Sequence, residues 1–368
     1  MKVTDLTLTL FRWDLPASYY AGYRAAFKGE KLMGVVTIRT DAGVEGHSFL
    51  GNARQGADVH ASPLMDLIKP VVVGRNPLDI GAIWAKMWPY NRYVSVPAIG
   101  AVDVALWDLA GKVAGLPVHR LLGSCRQRVP AYASSMWLPS AQTYADEAIH
   151  YRSRGWPAYK MHVHGIPGED IAICRAVREA VGDDMVLMID SMHAYTYEEA
   201  LKVGRALEEL KYFWYEDPLP EEDLYGYVKL RNKLDIPILA TEWVPGGLYG
   251  LEPWVLYQAT DMLRGDVGLK GGITPLVKIA HLAEAFRMKC EIHTGLNSLN
   301  NVANLHVTMA IENCDYYEVL LPEKDNQYGL VADIEVDNEG FVHAPEKPGL
   351  GYDIDWDLVK HKTVRVLQ

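Results

Sequence analysis

The feature that most constrains this chain is a spacing. From Val129 onward, short apolar runs alternate with amphipathic segments. "VPAYAS", "YKMHV", "MVLMID", "YFWYE", "IPILATE", "DMLRGDV", "KCEIH" and "YYE" read as strands, with helices such as "GEDIAICRAVREAV" and "YEEALKVGRALEEL" between them. Polar residues close successive strands at His162, Asp190, Glu216, Glu242, Asp266, His293 and Glu318, in steps of 28, 26, 26, 24, 27 and 25 residues. Alternation of strand and helix implies parallel strands. Steps of this size suit a (β/α)8-type barrel, in which about 250 residues make eight units. The C-terminal strand ends of such a barrel share one face, and active sites are built there. A barrel with only a structural role has no reason to line that mouth with acids and histidines.

The flanking sequence is organised differently. Residues 1–60 alternate like strands, with turn signals at "TDAGVEG" (Thr40–Gly46). "AIGAVDVALWDLAGKVAGLPVHRLLG" (Ala98–Gly123) has helical apolar spacing, with Gly115 and Pro117 as a stop. After the last barrel strand, "LVADIEVDNEGFVHAPEKPGLGYDIDWDLV" reads as short strands, a turn at "DNEG" and a Pro/Gly segment that returns to the N-terminal part. The expected α/β architecture is a (β/α)7β TIM-like barrel with an N-terminal α+β capping domain completed by the C-terminal segment. The expected limits are 1–125 for the cap, 126–322 for the barrel and 323–368 for the returning segment.

Composition narrows the partners. The 368 residues carry a net charge of −11 with no Lys/Arg block, which argues against nucleic acid, whose phosphates call for clustered positive charge. No apolar run approaches the roughly 20 residues of a membrane-spanning helix. The opening "MKVTDLTLTLFRWDL" alternates and lacks a signal-peptide apolar core. Cys125, Cys174, Cys290 and Cys314 are scattered, with no CxxC, and read as reduced thiols of a cytoplasmic protein.

Asp190, Glu216 and Glu242 end three consecutive strands. Converging carboxylates repel one another unless a cation neutralises them. An all-oxygen set suits Mg²⁺, with Mn²⁺ as the alternative, rather than Zn²⁺. Asp266 and His293 come next, and a carboxylate beside an imidazole fixes its tautomer and raises its basicity, as a general acid/base needs. Lys160, His162 and His164 alternate along "GWPAYKMHVHG" and so share one strand face. A lysine near a divalent cation should have a lowered pKa, which suits a base. Assembled, a metal grips a carboxylate substrate between bases, and the natural chemistry is abstraction of the proton α to that carboxylate, with the enediolate stabilised by nearby cations.

These motifs together resemble the enolase superfamily, and its mandelate racemase branch within the mandelate racemase/muconate lactonizing enzyme-like family. "AVDVALWDLAGKVAGLPVHRLLG" (Ala101–Gly123) is similar to the helical signature before the barrel. "MIDSMHAYTYEEA", "YEDPL" and "ATE" resemble the metal-ligand motifs and give Asp190, Glu216 and Glu242. "RGDVGLKGGIT" (Arg264–Thr274) resembles the sixth-strand motif, making Asp266 the partner of His293 in "EIHTG". Glu318 in "YYE" is similar to the family's eighth-strand acid, which bonds the substrate carboxylate, and "PEKPGLGYDID" resembles the family's tail. The resemblance implies a homo-oligomer, and cap loops near Ser18–Lys31 and Gly51–Gly56 that close over the substrate. Tyr19, Tyr20, Arg24 and Lys28 are the specificity candidates, with His193 and Lys270 as further substrate-binding candidates.

Two departures bear on the reaction. The family's usual Lys-x-Lys is here Lys160-x-His162, and the Asn that often follows the first ligand by two residues is here Met192, with His193 beyond it. Dehydration needs one base and one acid, so unequal partners suit it. Racemisation needs two matched bases. The expected function is therefore dehydration of a sugar acid to a 2-keto-3-deoxy acid, with racemisation, epimerisation or cycloisomerisation of a carboxylic acid as the alternative. "HVH" also suggests a zinc amidohydrolase, but that reading wants histidines where Glu242 and Asp266 stand. A non-enzymatic scaffold would be expected to break the acid triad, which is intact.

Overall fold

The computed structural model describes residues 1–14, 30–295 and 297–368. Three antiparallel strands open the chain: β1 (Val3–Trp13), β2 (Lys31–Thr40) and β3 (Glu45–Leu50). Their inward residues, including Leu6, Leu8, Val36 and Ile38, are buried against helices. The helix Val96–Ala114 is the centre of that packing, and it ends at Gly115 in the left-handed conformation (φ +66°), as a glycine stop allows. Gly46 of β3 lies so close to this helix that a Cβ would meet Ala105 O at 2.1 Å.

Eight parallel strands follow: β4 (Arg128–Ser134), β5 (Ala158–His162), β6 (Val186–Asp190), β7 (Trp214–Glu216), β8 (Ile238–Ala240), β9 (Met262–Gly265), β10 (Lys289–Ile292) and β11 (Tyr317–Leu320). The sheet order is β10-β9-β8-β7-β6-β5-β4-β11, and a helix lies between each successive pair in sequence. This is a near-closed (β/α)7β barrel. Side chains bridge its seam: Thr294 Oγ1, just after β10, donates to Glu318 O on β11 at 2.7 Å. A short β12 (Phe341–His343) pairs antiparallel with β4, and β13 (Thr363–Leu367) adds to β1, so the tail completes the N-terminal sheet.

The Val96–Ala114 helix ties the layers together through two buried acids. Asp103 Oδ2 accepts from Thr274 N at 2.9 Å, at the first turn of the helix after β9. Asp108 accepts from His47 N on β3 at 2.8 Å and from Leu350 N in the tail at 2.9 Å. The "DVALWD" stretch thus fixes the N-terminal sheet and the tail against the barrel. No helix among the described residues is long and apolar enough to cross a membrane.

Candidate active site at the barrel mouth

The barrel's strand register brings the polar strand-end residues together. His162 ends β5 beside Asp190, which ends β6, and Glu216 ends β7 beside it. Glu242 lies two residues past β8, Asp266 one past β9 and His293 one past β10, while Glu318 is the second residue of β11. All seven are buried or nearly so.

Two cations of the chain lie beneath the acids. Lys160 is 1% exposed; its Nζ donates to Glu216 Oε2 at 3.0 Å and lies 2.9 Å from Glu318 Oε1 and 3.7 Å from Asp190 Oδ2. Arg264, on β9, is fully buried: its Nε lies 2.6 Å from Glu216 Oε1 and donates to Glu242 Oε2 at 3.2 Å, and its Nη2 donates to Glu318 Oε2 at 2.6 Å. The sequence reading missed Arg264. The clue lay in the surplus of inward acids over inward cations, which a low-dielectric interior has to balance.

This charge layer sets the titration of the site. Burial alone would depress Lys160, and Arg264 adds to that. The Glu216 and Glu318 carboxylates outweigh both and hold its ammonium well above the usual lysine range. The lowering expected for Lys160 rests on a divalent cation beside it; the protein groups by themselves favour its charged form. Burial pushes Glu216 up to about 7 against the pull of Arg264 and Lys160. Burial would raise Asp190 too, but His162 and Lys160 bring it below the usual carboxylate range. Glu318 is held well below that range, since Arg264 and Lys160 overcome its burial.

Arg264 Nε lies against both Glu216 and Glu242 of the expected acid triad, and Asp217 adds a further carboxylate beside Asp190 and Glu216. Ligand atoms of Asp190, Glu216 and Asp217 lie within 4.8 Å of one another. Glu242 Oε2 accepts from the same Arg264 Nε at 3.2 Å, and its Oε1 lies 3.4 Å from His293 Nε2. Asp217 enters because it sits past the strand with φ +43°, so the strand rule of opposite faces no longer separates it from Glu216. The donors that converge are all carboxylate oxygens, which fits a hard divalent cation.

His162 and His293 line one cavity together with Asn52, Ala53, Arg54, Met136, Trp137 and Glu318. Each imidazole is fixed from behind. His162 Nδ1 donates to Ser135 O at 2.5 Å, which leaves Nε2 forward, 3.2 Å from Asp190 Oδ2. His293 Nδ1 lies 2.6 Å from Asp266 Oδ2. Burial would depress His293, but Glu242 and Asp266 reverse this and hold it above the ordinary histidine value. Asp266 is itself pinned, accepting from Gly268 N and Leu269 N, each at 2.7 Å.

The remaining candidates divide. His164 does not join His162: its Nε2 faces Leu138 O at 2.8 Å and its Nδ1 lies 3.8 Å from Glu169. His162 and His164 therefore do not form the paired ligands that the zinc reading of "HVH" requires. Lys270 does not line the His162–His293 cavity. It is fully buried, and its Nζ donates to Thr241 O at 2.5 Å and Val244 O at 3.1 Å, bracing the loop after β8. Met192 and His193 both adopt left-handed backbone (φ +50° and +62°), which swings His193 toward Asp217, 3.5 Å away, rather than into the histidine-lined cavity. Tyr19, Tyr20, Arg24 and Lys28 lie outside the described residues.

Known proteins resemble this chain over nearly its whole length. Residues 143–358 match the family model "Enolase C-terminal domain-like", and residues 25–123 match "Mandelate racemase / muconate lactonizing enzyme, N-terminal domain". An arabinonate dehydratase of Saccharolobus solfataricus is 30% identical over 78% of this chain and 79% of its own length. An L-talarate/galactarate dehydratase of Salmonella typhimurium is 31% identical over 86% of this chain and 79% of its own length. The crystal structure of a D-glucarate dehydratase from Agrobacterium tumefaciens complexed with magnesium superposes with a TM-score of 0.90 at 34% identity, covering 99% of this chain and 100% of that one. A racemase and a cycloisomerase are also among the relatives.

Proposed function

The chain belongs to the mandelate racemase/muconate lactonizing enzyme family of the enolase superfamily, and from that premise we propose that it dehydrates a sugar acid to a 2-keto-3-deoxy acid. The observation that carries this reading is the pair of imidazoles, His162 and His293, facing one cavity with different groups behind them. An elimination needs a base at the α-carbon and an acid at the β-hydroxyl. His162, backed by a neutral carbonyl, takes the α-proton at Nε2. His293, backed by Asp266, carries the proton that the leaving hydroxyl needs to depart as water. The α C–H and β C–O bonds break, a carbon–carbon double bond forms, and the resulting enol tautomerises to the 2-keto acid.

Mg²⁺, or Mn²⁺ in its place, suits the donor chemistry. Asp190, Glu216 and Glu242 would hold it, with Asp217 as a neighbouring carboxylate. When bound, such a cation supplies Lewis-acid stabilisation of the charge that develops on the substrate carboxylate. Lys160 and Arg264 keep the carboxylate cluster assembled. Asp266 holds the His293 ring in one tautomer. Asn52 and Arg54, from the loop after β3, wall the cavity on the cap side. The partner is thus a small carboxylate, and the protein is expected to act in the cytoplasm as a homo-oligomer.

Epimerisation or racemisation is the second reading, and one observation favours it: the two cavity-facing groups are both imidazoles, closer in strength than the lysine–histidine pair suggested by the sequence. Incubation with Mg²⁺ and a panel of aldonic and aldaric acids, followed by semicarbazide detection of 2-keto acids, separates the two. A keto product supports dehydration. An unchanged keto signal with a new stereoisomer on chromatography supports epimerisation.

A further inference from the structure

A second group of donor atoms lies beside the barrel-mouth acids. His193 follows β6, Asp217 follows β7, and Glu221 stands four residues further on. One ligand atom from each lies within 4.8 Å of the other two, and Asp217 also belongs to the Asp190–Glu216 set.

Two observations point to a cation between these atoms. First, the Asp217 side chain is 1% exposed and its Oδ1 has no hydrogen-bond partner. A buried carboxylate oxygen without a donor is unfavourable unless a positive group meets it. Second, His193 Nδ1 lies 3.2 Å from Leu219 O. A carbonyl only accepts, so Nδ1 bears the proton in the neutral ring and Nε2 keeps its lone pair. That lone pair faces Asp217 Oδ2 at 3.5 Å. An imidazole anchored by a backbone carbonyl on one nitrogen, with the other nitrogen aimed at carboxylates, is the arrangement that surrounds a bound metal. Glu221 Oε1 accepts from Trp243 N at 2.9 Å, which orients its carboxyl.

We propose that His193, Asp217 and Glu221 form a second divalent-cation site, which shares the Asp217 carboxylate with the Asp190–Glu216 set. One imidazole with two carboxylates suits Mn²⁺, Co²⁺ or Zn²⁺ better than Mg²⁺, in contrast to the all-oxygen first set. His193 and Glu221 also border a cavity lined by Arg54, Met192, Trp243 and Pro245, so coordination positions not filled by protein face that space.

Cobalt is the probe. Metal-stripped protein is titrated with Co²⁺, and bound cobalt per chain is measured by equilibrium dialysis alongside visible absorption, with circular dichroism on the same samples to report folding. The expected result is two Co²⁺ per chain, one displaced by excess Mg²⁺ and one retained. His193→Asn and Glu221→Gln should each weaken the retained cobalt at least tenfold and leave the displaceable one. A single equivalent in the wild type overturns the proposal, as does a retained equivalent that neither variant alters. If His193→Asn fails to fold, Glu221→Gln, in a loop, decides alone. Because cobalt binding is read without turnover, failure here is separate from failure of the dehydratase reading.

Discussion

Lys160 and His162 stand two residues apart on β5, yet they work at different depths. Lys160 is sealed against Glu216 and Glu318, and His162 opens onto the cavity that His293 also lines. One strand face thus supplies a buried charge and, above it, a group that can exchange protons with a substrate.

From this, His162→Asn and His293→Asn should each lower kcat by about 10²- to 10⁴-fold, the usual worth of one general acid or base. Melting temperature should change little, because both side chains border the cavity. Steady-state kinetics with thermal melts check this. Full activity in either variant removes that residue from the proposed chemistry.

Lys160→Met should also abolish turnover, for a different reason. It leaves Glu216, Glu318 and Asp190 without the cation they share, and breaking a buried pair typically costs about 3–5 kcal/mol. The expected signature is loss of activity together with a lower melting temperature and an unchanged far-ultraviolet circular dichroism spectrum. His162→Asn should show the first without the second.

Arg264→Met tests the buried counter-charge. Its guanidinium contacts Glu216, Glu242 and Glu318, so the variant should melt well below the wild type in the absence of divalent cation. The remaining carboxylates should then attract Mg²⁺ more strongly, and binding to the folded state alone stabilises by mass action. Differential scanning fluorimetry should show a larger Mg²⁺-induced rise in the variant. An equal or smaller rise would mean that Arg264 does not offset the metal-site charge.

Acid stability should reflect His306, where the two ring nitrogens are committed. Nδ1 accepts from His119 N and Nε2 faces Leu350 O, both at 3.0 Å, so the neutral ring is the one that fits. Burial lowers its pKa to about 3. The unfolded chain takes up this proton near 6.5 and the folded one only near 3, so stability is fully present above 6.5 and falls as pH drops toward 3, by up to about 1.4 kcal/mol per pH unit for one proton. His306→Gln, which keeps one acceptor and one donor, should flatten that slope in melts taken from pH 7 to pH 4.

The barrel was legible because its repeat is carried by whole βα units, and seven polar residues marked successive strand ends. The pairing of His293 with Asp266 was readable for the same reason, since adjacent parallel strands bring their ends together. Asp217 was hidden: on a regular strand it would point away from Glu216, and only a left-handed residue past the strand brings it round. Arg264 was hidden in "DMLRGDV" because a lone arginine in a strand reads as surface, and its burial follows from three acids on other strands. Lys270 was a substrate-binding candidate, and the fold places its ammonium against two backbone carbonyls.

The most direct test of the account is proton NMR in D₂O with Mg²⁺, following the α-proton of each acid sugar in the panel with wild type and His162→Asn side by side. The account predicts that one substrate loses its α and β signals as a 2-keto-3-deoxy product grows, and that His162→Asn stops this. An α-proton that neither exchanges nor disappears for any acid in the panel would contradict it.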